Sequence, residues 1–298
     1  MNVYSQIASN KRRTVILMLL FGILVIALGF VFSQAMDGGI ASVILACIIA
    51  VGMSFISYYS GDKLALWTAG AKGPVTKEEN AYVYRLVENL CITAGLPMPK
   101  VYLIPDPAIN AFATGRDPQH ASIAITMGAI EQLENEELEG VIAHELSHIK
   151  NYDIRLMMVV IICVSITTLL ANWFFRFSFF GDRRSNRNNG SMGLIFILLG
   201  IVMAILSPLA AKIIQLSISR KREFLADASA ALLTRYPEGL ARALEKIAAN
   251  PQPMIKANKA IAHLYFSSSF GAKKGWFSHM FSTHPPIEER VNALRQIA

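Results

Sequence analysis

Charge is scarce in this chain: Asp, Glu, Lys and Arg make up 16% of its 298 residues, where an ordinary soluble domain carries roughly a quarter. Apolar residues reach 53%, which excludes a plain water-soluble globule and makes a membrane protein the first expectation. Cysteine is almost as sparse. Cys47 and Cys163 fall inside apolar runs, Cys91 falls on a predicted soluble helix, and no CxxC pair occurs. That rules out a disulfide framework and a thiolate zinc cluster and is compatible with a reducing compartment. There is no GxxxxGK[ST] sequence, so nothing suggests an attached ATP-driven unfoldase. Acids are outnumbered and the net charge is +7. Its placement argues against nucleic acid as a partner, because Lys11, Arg12, Arg13 and Arg220, Lys221, Arg222 flank apolar runs and no nucleic-acid motif accompanies them. Basic residues in such positions stay on the cytoplasmic side of a bilayer.

Four uncharged runs are present, at 14–32, 40–59, 156–175 and 192–211, each close to the ~20 residues that cross hydrocarbon as a helix. The first exceeds the apolar stretch of a signal peptide, so a retained anchor is expected although Ser33-Gln34-Ala35 resembles a cleavage site. A short loop at 33–39, with one acid and no base, joins the first two runs into a hairpin with both ends cytoplasmic. The loop between the third and fourth carries Arg176, Arg183, Arg184 and Arg187 against Asp182. A full crossing there opposes the positive-inside pattern, yet a crossing hairpin remains the expectation over a dip into one leaflet.

Between these runs the chain is polar. Thr76 and Glu79 form a capping box before Tyr82, Leu86, Leu90 and Ala94, predicting a helix that stops at Gly95. Residues 101–104 and 122–126 read as strands, with 110–114 as a third between them. An acidic run at 131–139, with Asn135 as cap, leads into a helical pattern at 140–149. Helices are expected to about Leu233 and near 239–249 and 286–297. The predicted fold class is α+β and mostly α-helical, a multi-pass membrane protein with a small sheet. Its expected parts are an N-terminal hairpin at 1–60, a first catalytic portion at 61–155, a second hairpin at 156–217 and a second catalytic portion at 218–298.

His144-Glu-Leu-Ser-His148 places two imidazoles one helical turn apart, about 40° in azimuth, where both reach one ion. Neutral imidazoles suit zinc, and three protein ligands leave a position open for water. Glu145 would then act as general base on that water. The third ligand is sought in Arg220-Lys-Arg-Glu223-Phe-Leu-Ala-Asp227, where Glu223 and Asp227 are also one turn apart. Glu223 is the best candidate, and Asp227 could orient a ligating histidine. Without the histidine motif, the same acids would read as a solvated face balancing the adjacent bases. Glu134, Glu136, Glu137, Glu139 and Lys150 surround the motif, so burial inside the bilayer would be very costly and the site belongs at or above the membrane surface. A scaffold or holdase that keeps zinc without turnover is the competing reading. Intact Glu145 argues against it. A transporter is disfavoured because no run carries ionisable residues facing a path, apart from Lys212 near an end.

The chain resembles the HtpX family of membrane zinc endopeptidases, and the resemblance covers nearly its whole length. It rests on the basic N-terminus and hairpin, Asn110-Ala-Phe-Ala-Thr-Gly115, the run from His144 to Asp153, Arg222-Glu-Phe-Leu-Ala-Asp227, and Ser282-Thr-His-Pro-Pro286 with Glu289-Arg290. The CAAX prenyl-protein peptidases are more distant relatives with similar motifs. The resemblance implies a cytoplasmic zincin-like domain with His144, His148 and Glu223 as ligands of one Zn2+ and Glu145 as base. It implies ATP-independent cleavage of misfolded membrane proteins at a bacterial inner membrane. Asn110, Ala111, Phe112 and Ala113 would form an edge strand holding an extended peptide, with Asn110 as an added polar contact. His284 and Arg290 match positions near the reacting carbonyl, where a positive donor stabilises the oxyanion. His120, His263 and His279 match nothing. Natural substrates, cleavage preference and oligomeric state are not legible.

Overall fold

The computed structural model of the chain describes residues 3–35, 39–160, 220–256, 261–262, 264–267 and 285–297. Two long helices, α1 (Val3–Ala35) and α2 (Gly39–Ala69), pack against each other. Their backbones carry the first two apolar runs, and several of their side chains between 24 and 47 lie outside the described set. Among the described residues no helix is long and apolar enough to cross a membrane. The third and fourth runs fall largely on 161–219, outside those residues, as do the arginines between them.

Beyond the hairpin, α3 (Ala81–Ala94) starts later than the sequence pattern suggests. Asn80 caps it by accepting from the Val83 N–H, while Glu79 accepts from the Thr76 N–H and closes a separate turn. Its buried stripe is Val83, Val87, Leu90 and Cys91, and Tyr82 is exposed. Gly95 ends it in the left-handed conformation, its N–H reaching back to carbonyls of the last turn.

The sheet has three strands, β1 (Lys100–Ile104), β2 (Ala111–Gly115) and β3 (Ala121–Thr126), in the order β1-β3-β2. β1 runs parallel to β3 and β2 antiparallel to it, with Ala113 opposite Ile123. After the short α4 (Met127–Gln132), α5 (Asn135–Lys150) carries the histidine motif. Glu134 rather than Asn135 is its cap: the Glu137 carboxylate accepts from the Glu134 N–H at 2.8 Å, and Asn135 instead accepts from the Tyr82 hydroxyl. Residues 153–160 resume a helical course. The later helices are α6 (Arg220–Thr234), α7 (Pro237–Ala249) and α8 (Ile287–Arg295).

Alternation along the strands divides the core in two. Val101, Ala111, Ala113, Ile123 and Ile125 face α3, α5, α6, α7 and α8 in the larger cluster. Ile104, Phe112 and Ala124 face the opposite way, toward Ala65, Leu66 and Ala69 at the foot of α2 and toward Met254, Leu264 and Tyr265. The hairpin is thereby joined to the sheet. Leu138, Ile142 and Leu146 of α5 are fully buried in the first cluster, where truncation of such a side chain costs about 2–5 kcal/mol. α5 and α7 approach closely at two glycines, one on each helix. A Cβ on Gly140 would lie 2.9 Å from the Leu240 backbone, and one on Gly239 would lie 2.5 Å from the Glu136 carbonyl.

Candidate metal centre

Three donors converge where α5 crosses α6. His144 and His148 point from one face of α5, and Glu223 comes from the first turn of α6. All three are buried, and each offers a ligand atom within 4.8 Å of the others. The two Nε2 atoms are 3.1 Å apart, and each is 3.7 Å from an oxygen of Glu223. Donors about 2.0–2.1 Å from a tetrahedral zinc stand about 3.3 Å from one another, so these separations bracket the required value.

The far side of each ring explains why the Nε2 atoms can act as donors. His144 Nδ1 is 2.8 Å from Asp227, and His148 Nδ1 is 3.0 Å from Asp153. A carboxylate on Nδ1 fixes the proton there and turns the Nε2 lone pair to the metal. Two lone pairs and a carboxylate then face one another in a buried space, an arrangement that demands a cation. The electrostatics agree. Burial draws His144 down to about 4 despite its bond to Asp227. Burial also works against a charged His148, but the hydrogen bond to Asp153 and the charges of Glu223, Asp153 and Glu145 prevail and raise it to about 9. Positive charge is thus favoured on the His148 side, among Asp153, Glu223 and Glu145, and the donor set of two imidazoles and a carboxylate fits zinc.

Asp227 is itself clamped. Arg290, from α8, donates to its two oxygens at 2.8 and 2.6 Å. Burial tends to raise the Asp227 pKa, yet the Arg290 charge and these bonds hold the carboxylate below its ordinary range. Arg290 is almost fully buried and lies 3.5 Å from His144 Nδ1, on the ring edge turned away from the ligand atoms. Its place is behind His144, in support of Asp227, the residue with which the sequence reading groups it outside the ligand set. His284 lies outside the described residues.

Glu145 points to the sheet, where its carboxylate accepts from the Ala113 N–H at 2.8 Å. The Thr126 N–H donates to the Asn110 carbonyl, so alternation directs the polar groups of 110, 112 and 114 to β3 and those of Ala111, Ala113 and Gly115 to the outer edge. The expected substrate strand, Asn110 to Ala113, therefore runs along the site with its edge toward Glu145. Part of that edge is occupied from within. The Phe266 N–H donates to the Ala111 carbonyl at 2.8 Å, and the Asn110 amide exchanges hydrogen bonds with the Ser267 backbone. The Phe266 ring stands edge-on to His144, 5.0 Å between centroids, and beneath the Arg290 guanidinium at 4.8 Å. Sequence reasoning missed Asp153, Phe266 and Asn10, which contacts Asp153. Asp153 ends the quoted histidine run and was open to detection there. No local pattern marks the other two.

Comparison with known proteins gives one consistent result. The sequence profile of peptidase family M48 matches residues 77–298. A protein described as "Protease HtpX homolog" from Caldanaerobacter subterraneus subsp. tengcongensis is 42% identical over 298 residues, covering 99% of this chain and 98% of that protein. One of the same description from Tropheryma whipplei is 40% identical, covering 99% and 98%, and one from Ligilactobacillus salivarius is 40% identical, covering 99% and 100%. Among solved structures, S. mikatae Ste24p is similar in fold, with TM-score 0.53 and 20% identity. That likeness spans 97% of this chain and 66% of Ste24p.

Proposed function

The chain belongs to peptidase family M48 and is a zinc metallopeptidase; from that premise we propose that it is a membrane-held endopeptidase that cuts unfolded or damaged membrane proteins at the cytoplasmic face, without ATP. The observation that carries the reading is the buried triangle of His144, His148 and Glu223 with Glu145 beside it on the outer edge of β2. A peptide laid along that edge would present successive carbonyls to the site through main-chain bonds, a mode that tolerates many sequences. Glu145 accepts the proton of the attacking water and returns it to the leaving amine. Zinc held by His144, His148 and Glu223 would supply the Lewis acidity that activates water and polarises the carbonyl. Asp227 and Asp153 keep the ring tautomers fixed throughout.

The hairpin supports the membrane placement. Val15, Leu19, Leu20 and Ile23 of α1 and Ile48, Val51, Phe55 and Ile56 of α2 are all exposed, a larger apolar surface than a soluble monomer leaves in water. Exposed Lys11, Arg12 and Arg13 and the aromatic Tyr59 and Trp67 lie toward its sheet-side end, as at a cytoplasmic interface. The second hairpin, 156–217, belongs to the same proposal as a crossing pair, and the catalytic portions 61–155 and 218–298 assemble around the metal.

The test is zinc-dependent cleavage of casein, followed by an unfolded membrane protein in vesicles, comparing wild type with Glu145→Ala. Both proteins are purified in detergent with chelator and then given zinc. Cleavage by wild type with metal alone is expected, with unfolded substrate consumed and its folded form spared. Zinc-loaded wild type that cuts no better than Glu145→Ala would return the reading to a scaffold.

A further inference from the structure

The metal centre is held in part by an element outside the matched family segment. Asn10, in the polar early turns of α1, is buried at 1% exposure. Its side-chain nitrogen lies 2.7 Å from Asp153 Oδ1 and 3.0 Å from the Asn151 carbonyl. An amide has two N–H donors, and each has an acceptor here. The neighbouring Lys11 sits over the Tyr152 ring, 4.3 Å from its centroid, and Arg155 lies 4.9 Å from the same centroid. Tyr152 has φ 59°, a left-handed conformation that a bulky residue keeps only when its surroundings hold it. Residues 151, 152 and 153 are thus gripped one after another, each of them by Asn10 or Lys11 of α1.

We infer that Asn10 is a positioning residue for the zinc site, acting through Asp153 on His148. Asn10 and Arg222 both approach Asp153 Oδ1, at 2.7 and 3.3 Å, which leaves Oδ2 directed at His148 Nδ1, 3.0 Å away. Loss of the Asn10 amide frees the carboxylate to turn, and the ring of His148 loses the partner that fixes its tautomer. The family profile begins at residue 77, so the segment it covers does not contain every part of the site. This inference rests on the zinc site alone and is independent of substrate and membrane placement.

The experiment measures zinc affinity of the full chain by competition with a chelating dye, together with visible absorption of the cobalt-substituted protein. Asn10→Ala should weaken zinc about tenfold, the lower end of the range for residues behind a ligand, and shift the cobalt bands. The nearly isosteric Asn10→Asp, which sets a carboxylate against Asp153, should weaken it at least as much. Thr14→Val is the control: Thr14 is buried on the same helix, and its hydroxyl bonds the Asn10 carbonyl without touching Asp153, so zinc affinity should not change. In an Asp153→Ala background, Asn10→Ala should have no further effect. Asn10→Asp binding zinc like wild type, or Asn10→Ala causing the same loss with and without Asp153, overturns the proposal. Should Asn10→Ala fail to fold, Asn10→Asp carries the comparison.

Discussion

His144 and His148 lie one turn apart on α5 and face the same ion, yet the two are braced in different ways. Behind His144 stands a closed unit: Asp227 gripped at both oxygens by Arg290, with Phe266 against the ring and the guanidinium. Each of those residues lies within the segment that matches the family. Behind His148 stands a composite: Asp153 held by Asn10 from α1 and by a single 3.3 Å contact from Arg222. One histidine is fixed by a salt bridge inside the catalytic fold, the other by a joint between that fold and the hairpin. Strength and adaptability are thereby divided between ligands of one metal.

The largest change abolishes the contrast. Glu223→Ala removes the donor facing both histidines; zinc retained after dialysis should fall to background, and kcat/KM should drop at least about a hundredfold, since metal contributes several kcal/mol. Next, the two arginines separate the sides. Arg290→Met leaves the Asp227 carboxylate buried without its cation and should cost about 3–5 kcal/mol in denaturant unfolding. Arg222→Met should cost only about 1–3 kcal/mol, because Asp153 keeps Asn10. Equal costs would erase the distinction. Asp227→Ala and Asp153→Ala should each weaken zinc about 10- to 100-fold in chelator titrations, but only Asp153→Ala should expose the foot of α1 to limited proteolysis. The smallest effect belongs to Phe266→Leu, which keeps apolar bulk and loses the edge-to-face contact, about 0.5–1.5 kcal/mol by thermal or denaturant unfolding. That loss should appear on the His144 side alone, leaving the cobalt spectrum responsive to Asn10 as before.

How much of this is legible in the sequence follows from range. His144, Glu145 and His148 are separated by one helical turn, so spacing alone brings them together. The three strands were equally readable from alternation and from Gly and Pro punctuation. Helix starts proved less so: α3 is capped by Asn80, four residues past Thr76, and α5 by Glu134, one residue before Asn135. Asp153 stands in the quoted run from His144, but its role depends on Tyr152, whose left-handed φ swings the following residue back under His148 against helical periodicity. Asn10 pairs with a residue 143 positions away, and no local rule reaches so far. The sequence reads 110–113 as an edge strand, and β2 does lie at the edge of the sheet. That Phe266 and Ser267 would take its Ala111 end could not be foreseen, since both engage it through their own backbone groups, Phe266 at the Ala111 carbonyl and Ser267 at the Asn110 amide, and so leave no mark in side-chain pattern.

The order in which the chain is made gives the divided site a further meaning. A ribosome releases Asn10 first, then the α5 histidines with Glu145 and Asp153, and only much later Glu223, Asp227 and finally Arg290. Until α6 has emerged, the centre has two donors and no closing carboxylate, and until α8 has emerged, Asp227 lacks its cation. A growing chain therefore carries the general base before the metal site is assembled. The three donors can therefore share one ion only after α6 has packed across α5.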